Sequence, residues 1–199
     1  MPIYSFNGVT PAIESGAYVH PDAVLIGDVF VLAGAFVAPL ATMRGDFGRL
    51  ILGEGANLQE HCCMHGFPGT DTVVEEGGHI GHGSILHGCH VGKSSIIGMN
   101  STILDNVVVG ENCIIGAGSV VTANTKIPHD KLALGSPAKV IRALTEDEIN
   151  WKAQGIKEYQ NLAKIYPLEM KEAKASTEID FDRPRLNLSH YGQKPSNND

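Results

Sequence analysis

The chain has 199 residues, 43% of them hydrophobic and only 6% aromatic, with 23 glycines and a formal net charge of −7. That acidic balance excludes the concentrated basic face on which nonspecific nucleic-acid binding depends, and no apolar run approaches the roughly 20 residues of a membrane span. Met1-Pro2-Ile3-Tyr4-Ser5-Phe6 carries neither the basic nor the apolar part of a signal peptide. Cys62, Cys63, Cys89 and Cys113 make no disulfide framework by spacing, so a reducing cytoplasm is the expected compartment.

From Val19 onward the aliphatics keep a six-residue phase: Val19, Leu25, Val31, Val37 and Met43, with Ala23, Val29, Ala35 and Ala41 four residues after the first four. A period of six suits neither a helix nor an alternating hairpin sheet. It suits short strands joined by tight corners, three to a coil of roughly 18 residues, each side sending one large and one small residue inward. One coil cannot bury its own core, so coils must stack. The expected fold is an all-β solenoid, a parallel β-helix over residues 1–143. The period itself leaves the hand of the coil open.

Met43-Arg44-Gly45-Asp46 and Asn57-Leu58-Gln59-Glu60 then bring an arginine, two carboxylates and two amides to one side of the coil. Charges alternating about Gly45 point to a fixed pairing of Arg44 with a carboxylate, and Gln59 is placed to hold a metal-bound water by hydrogen bonding. Six of the nine histidines (His61, His65, His79, His82, His87 and His90) follow within a 30-residue window. His65, His82 and His87 come one or two residues after the inward aliphatics Met64, Ile80 and Leu86, and so project outward. Two breaks of phase bracket them. Residues 66–72 read as an extruded loop, and Leu86 is five rather than six residues from Val91. Aliphatic coils have no packing use for imidazole. Three neutral imidazoles with an open fourth position are what a catalytic zinc requires, since water there approaches a pKa near 7. His61, His79 and His90 read as surface or supporting groups, Cys62 and Cys113 as core, and Cys89 as a candidate alternative ligand.

The phase resumes through Val91, Ile97, Ile103, Val109, Ile115, Val121 and Ile127, with companions Ser95, Ser101, Val107, Cys113, Ser119, Thr125 and Lys131. Leu134–Arg142 leaves the coil. Thr145-Glu146-Asp147-Glu148 is a capping box, and Ile149, Ile156, Tyr159, Leu162, Ala163 and Tyr166 keep helical spacing after it. A helix over 144–166, packed along the solenoid, is expected. Residues 167–199 form a polar tail, mobile past about Asn187.

Met43-Arg44-Gly45-Asp46-Phe47-Gly48, Asn57-Leu58-Gln59-Glu60, His65, Gly81-His82 and Leu86-His87-Gly88-Cys89 resemble the γ-class carbonic anhydrase family of left-handed β-helices, built of hexapeptide repeats. His65-Gly66-Phe67-Pro68, Trp151–Gly155 and Glu158-Tyr159-Gln160 are most similar to its branch linked to phenylacetate degradation and the carnitine pathway. The resemblance covers about four-fifths of the chain. It implies a left-handed coil and a homotrimer with metal at the subunit interfaces: Zn2+, with Fe2+ or Co2+ as alternatives. It also implies His65 and His87 from one subunit with His82 from its neighbour, Arg44 and Asp46 tying the interface, and Gln59 orienting the metal-bound water. Glu60 stands where the family carries aspartate. Phe47 stands where an efficient carbonic anhydrase carries an acidic residue.

The expected chemistry is hydrolysis of acyl-CoA thioesters, the activity to which those relatives are linked in aromatic catabolism. Reversible hydration of CO2 to bicarbonate ranks second, because it needs proton shuttles that the sequence lacks. An acyltransferase is a third reading: such enzymes share the solenoid and the Gly135-Ser136-Pro137-Ala138-Lys139 ending and use one histidine as base. A metal-stabilised scaffold without turnover is a fourth. Phe47, Phe67 and Tyr159 are the candidates to line a cleft for a bulky acyl group, with the Tyr159 hydroxyl a candidate donor to a developing oxyanion.

Overall fold

The computed structural model describes residues 2–186. Strands of mostly two residues alternate with two-residue turns, and every third strand returns to the same face. The first face runs from Ile3–Tyr4 through the leading halves of Val24–Val31 and Thr42–Leu52 to Cys63–His65, Ile85–His87, Thr102–Ile103 and Val120–Val121. The second carries Ala12–Ile13, the trailing halves of the same two long strands, Thr72–Val74, His90–Val91, Val108–Val109 and Lys126–Ile127. The third carries Tyr18–Val19, Phe36–Val37, Asn57–Leu58, His79–Ile80, Ile96–Ile97, Ile114–Ile115 and Lys131–Gly135. All rungs pair in parallel with the coil above: Ile97 lies opposite Ile115, Ile103 opposite Val121 and Val109 opposite Ile127. The molecule is a left-handed parallel β-helix of hexapeptide repeats with one C-terminal helix.

The inward residues make continuous columns. Leu25, Met43, Met64, Leu86, Ile103 and Val121 are fully buried one above another. The small companions sit at the corners, where their polar atoms cap backbone carbonyls: Ser84 Oγ to Gly98 O (3.0 Å), Ser95 Oγ to Gly110 O (2.7 Å), and the Cys62 thiol to Gly81 O (3.1 Å). Burial pushes the Cys62 thiol up to about 11 and that of Cys89 up to about 12. Cys89, 1% exposed within the aliphatic core, is a core residue rather than a candidate ligand. The small inward series ends at Ser119. Thr125 and Lys131 are only half-buried, since a hairpin (131–135 with 138–143) closes the stack in place of another coil.

The helix spans Glu146–Glu169. Thr145 accepts from the Glu148 backbone N–H while the Glu148 carboxylate accepts from the Thr145 N–H, the expected box, and Arg142 donates to the buried Glu148 carboxylate through both terminal guanidinium nitrogens. The helix runs past its expected end at Tyr166. Pro167 forfeits only one bond in the final turn, and the Met170 N–H closes that turn on the Tyr166 carbonyl. Residues 170–186 carry no helix or strand, and the expected mobility past Asn187 concerns residues outside those described. Tyr159, Leu162, Ala163 and Tyr166 pack on Tyr18, Phe36 and Ala38 of the early coils. Lys152 donates to Ser94 O (2.8 Å) and Asn112 Oδ1 (2.9 Å) of the later ones. The helix thus travels back along the third face. Its length, roughly 36 Å at 1.5 Å per residue, matches the height of the stack. Among the described residues no helix is long and apolar enough to cross a membrane.

Stacking at a fixed spacing leaves no room at certain corners. A Cβ on Gly98 would sit 2.5 Å from the Ala117 backbone nitrogen, whereas one on Gly118 (φ +68°) meets nothing within 4 Å. Gly98→Ala should therefore cost roughly 2–3 kcal/mol by forcing two coils apart, and Gly118→Ala only about 1 kcal/mol of left-handed strain. Urea unfolding of both variants checks the order, and equal midpoints would refute it.

Candidate active site

The first face ends in a chain of four side chains from four successive coils. Asp105 Oδ1 lies 2.5 Å from His87 Nδ1, His87 Nε2 lies 3.1 Å from His65 Nδ1, and His65 Nε2 lies 2.9 Å from Asp46 Oδ1. Asp46 also takes the Arg44 guanidinium. Burial acts to raise the Asp46 carboxyl, but the hydrogen bonds from His65 and Arg44 hold it below the usual range. The backbone here is bent to aim these groups. The 66–72 loop folds on itself through Phe67 and Thr70, and the Thr72 hydroxyl both donates to His65 O (2.8 Å) and accepts from Gly88 N (3.0 Å). Phe47 leans on the His65 ring at 5.6 Å between centroids, Phe67 stands beside Gly88, and both phenylalanines are about half-exposed.

The outer nitrogen of each ring faces an aspartate, so in the neutral rings those nitrogens carry the protons. His65 Nδ1 and His87 Nε2 then present lone pairs to each other at 3.1 Å. That contact repels unless one ring carries a second proton and donates it to the other, or a metal cation lies to one side of both. Two nitrogens bound at 2.0–2.1 Å to one tetrahedral ion would be roughly 3.3 Å apart. The pair therefore has the separation, the tautomers and the carboxylate backing of two metal ligands. Among the described residues no third His, Cys, Asp or Glu completes a metal group within one chain.

His82 is held elsewhere, at the corner after the third face, where Glu60 Oε2 takes its Nδ1 (2.6 Å) and leaves Nε2 pointing away from the carboxylate. Its backbone N–H donates to Gln59 Oε1 (3.2 Å). Gln59 is buried, and its amide hydrogens go to Asn57 Oδ1 (3.0 Å) and His79 Nε2 (2.8 Å). Gln59 thus fixes the His82 corner. Arg44 and Asp46, expected across an interface, brace His65 within the chain, and Glu60 does the same for His82. Tyr159 meets neither Phe47 nor Phe67. It packs edge-on against His79 (5.0 Å) and Phe36 (5.7 Å), and with Gln59 and His82 it lines a groove of about 610 Å³ between the helix and the third face.

Asp105 carries no sequence signal of a role at the site, whereas His79 reads as a surface or supporting group. Asp105-Asn106 reads as a corner filler, and only its place 18 residues, one full coil, beyond His87 marks it as a neighbour. Of its two readings the supporting one holds: His79 is an outward residue of a strand, but the helix packs over it and it meets Asn57 and Gln59.

A family model for bacterial transferase hexapeptides (six repeats) matches residues 88–123. The carnitine operon protein CaiE of Salmonella agona (strain SL483) is 50% identical over 186 residues, which is 94% of each chain, and that of Salmonella newport (strain SL254) is equally similar over the same share. Among solved structures, a proposed acetyltransferase of Bacillus cereus, the BC4754 gene product, is 36% identical with a TM-score of 0.81, covering 82% of this chain and 95% of its own. A hexapeptide transferase family protein of Anaplasma phagocytophilum is 33% identical with a TM-score of 0.80, covering 83% and 98%.

Burial, with the His82 charge opposing protonation, pushes His79 down to about 4. A histidine whose folded pKa lies below its unfolded value of about 6.5 contributes stability in full above that pH and loses it as pH falls toward 4. Unfolding free energy should decline on acidification across that window by at most about 1.4 kcal/mol per pH unit from this group. The decline should flatten in His79→Gln; equal slopes in both proteins would exclude His79 as its source.

Proposed function

Because the chain belongs to the hexapeptide-repeat family of the carnitine operon protein CaiE, we propose that it is an enzyme of acyl-thioester chemistry, with the His65–His87 pair as its reactive centre. The observation that carries this reading is the pair of opposed, carboxylate-backed imidazole nitrogens 3.1 Å apart. A divalent ion, Zn2+ first and Fe2+ or Co2+ next, would be held by His65 Nδ1 and His87 Nε2 with His82 of a neighbouring copy, in a homotrimer. When bound, it supplies Lewis acidity toward an acyl carbonyl and lowers the pKa of water.

The chain's own residues do the rest. Asp46 and Asp105 keep protons on the outer ring nitrogens and so keep the inner ones basic. Phe47 and Phe67 shield the pair from bulk water, and Arg44 keeps Asp46 ionised. In hydrolysis the oxygen of water bonds to the acyl carbon, the carbon–sulfur bond breaks, and the thiol leaves with a proton taken from that water.

Acyl transfer is the second reading, and the comparisons favour it over hydrolysis. The matching family model and both similar structures carry transferase descriptions. The donor thioester is the same, but the acyl group passes to an amine or hydroxyl whose proton an inner ring nitrogen accepts, and that nitrogen returns the proton to the thiolate released as the carbon–sulfur bond breaks. A metal is then unnecessary. Hydration of CO2 would use the metal without any acyl cleft.

Four measurements test this together. Metal per chain should fall from about pH 8 to about pH 5, because protons compete for imidazole. Asp105→Asn should weaken metal binding about 10- to 100-fold in chelator competition, and His82→Ala should empty the site while leaving the coil's circular dichroism intact. Thiol release from acyl-CoA that needs no acceptor identifies hydrolysis; release that needs an amine or hydroxyl identifies transfer. A metal-free wild-type protein with full acyltransferase activity would remove the metal from the proposal, and turnover of CO2 alone would remove the thioester.

A further inference from the structure

The structure assigns the groove between the helix and the third face, we propose, to the acyl group itself: an uncharged, apolar acyl chain or ring larger than acetyl. The assignment rests on the acyl-thioester reading. It names the part of the substrate that this chain selects.

Three observations carry it. The groove is lined by His82 as well as by Trp151, Glu158, Tyr159 and Leu162 of the helix, so it reaches the imidazole that a neighbour's His65–His87 pair would share. Its walls are aliphatic and aromatic, chiefly Ile96, Ile114, Met99, Leu162 and Trp151, and its volume of about 610 Å³ is several times what a two-carbon acyl group fills. Among its lining residues there is no lysine or arginine, and Glu158 is the one carboxylate. The phosphates of a CoA, or a carboxylate at the far end of an acyl chain, would find no counter-charge there and would be repelled by Glu158. The nucleotide must therefore stay outside while the neutral end of the acyl group enters. Tyr159 belongs to this groove as a wall.

Trp151 is the only tryptophan of the chain, so its fluorescence reports occupancy of the groove without any turnover. The intact protein is titrated with two non-hydrolysable thioether analogues of acyl-pantetheine, one bearing a phenylacetyl-sized neutral group and one a five-carbon group ending in carboxylate. The neutral analogue should give a saturable change, and the carboxylate analogue none at the same concentrations. Ile96→Phe, which narrows the groove, should weaken the neutral analogue about tenfold and shift kcat/KM toward short acyl groups, while Ile96→Ala shifts it the other way. Glu158→Lys should admit the carboxylate analogue.

Normal thioester turnover with no change at Trp151, or equal binding of the two analogues, overturns the groove assignment. Saturable binding of the neutral analogue in a protein that turns over no thioester upholds the groove and sinks the reaction.

Discussion

Everything in this molecule follows from the requirement that each coil lie one strand spacing, about 4.8 Å, from the next, with its backbone hydrogen bonds running along the stack. That spacing dictates large aliphatics in columns, small or polar residues at the corners and bare glycine where two backbones nearly touch. It also converts sequence distance into adjacency, because residues one coil apart become vertical neighbours. Asp46, His65, His87 and Asp105 come from four coils and touch in series only because the stack holds those coils at one height each. Extra residues between them are expelled sideways. The 66–72 loop leaves the coil and re-enters in register, with Leu50 opposite Thr72 and Leu52 opposite Val74.

The site is assembled against the grain of that regularity. Two imidazoles with opposed lone pairs do nothing for a solenoid core, and the four polar side chains displace none of the inward columns. The scaffold stays intact beneath, with Met64 and Leu86 fully buried directly behind the histidines. This division of labour explains why chemistry can be placed on an outward face at little structural cost. The stiff inner columns fix the heights, and the outward side chains are left to lean until their nitrogens converge. A second buried polar group, Asn57–Gln59–His79, does the same for the opposite corner, where it sets the backbone that presents His82.

Most of the fold was legible in the sequence because it is periodic. The phase from Val19 to Ile127 gave the faces, the inward columns and the small corners, and Thr145 with Glu148 gave the start of the helix. The departures have local physical reasons. Pro167 sits so late in the helix that it removes one hydrogen bond without ending it, and the hairpin that closes the last coil leaves Lys131 half out of the core. At the site, His65, His82 and His87 stood out because imidazole is foreign to aliphatic hexads. Asp105 did not, since aspartate beside asparagine is ordinary at a tight corner and only three-dimensional register joins it to His87. Gln59 reads from the sequence as the holder of a metal-bound water, but besides Asn57 its partners His79 and His82 lie 20 and 23 residues away, across a coil lengthened by the loop. Tyr159 was correctly placed on the helix. Which of two clefts it lines depends on the angle at which the helix lies across the third face, and periodicity carries no such angle.

The backward course of the helix has a consequence for how the chain is made. Tyr18 and Phe36, in the first coils, are covered by Tyr159 and Tyr166 of the helix. A nascent chain emerging at about 5–20 residues per second leaves those rings bare for roughly 6–30 s while the intervening coils are added. During that interval the growing stack offers both an aromatic patch and a free strand edge, the combination most prone to pairing with another unfinished chain. The helix therefore acts as a seal on the first coils, and a ribosome that stalls before Tyr159 releases a solenoid whose coils are complete but whose aromatic seam is open.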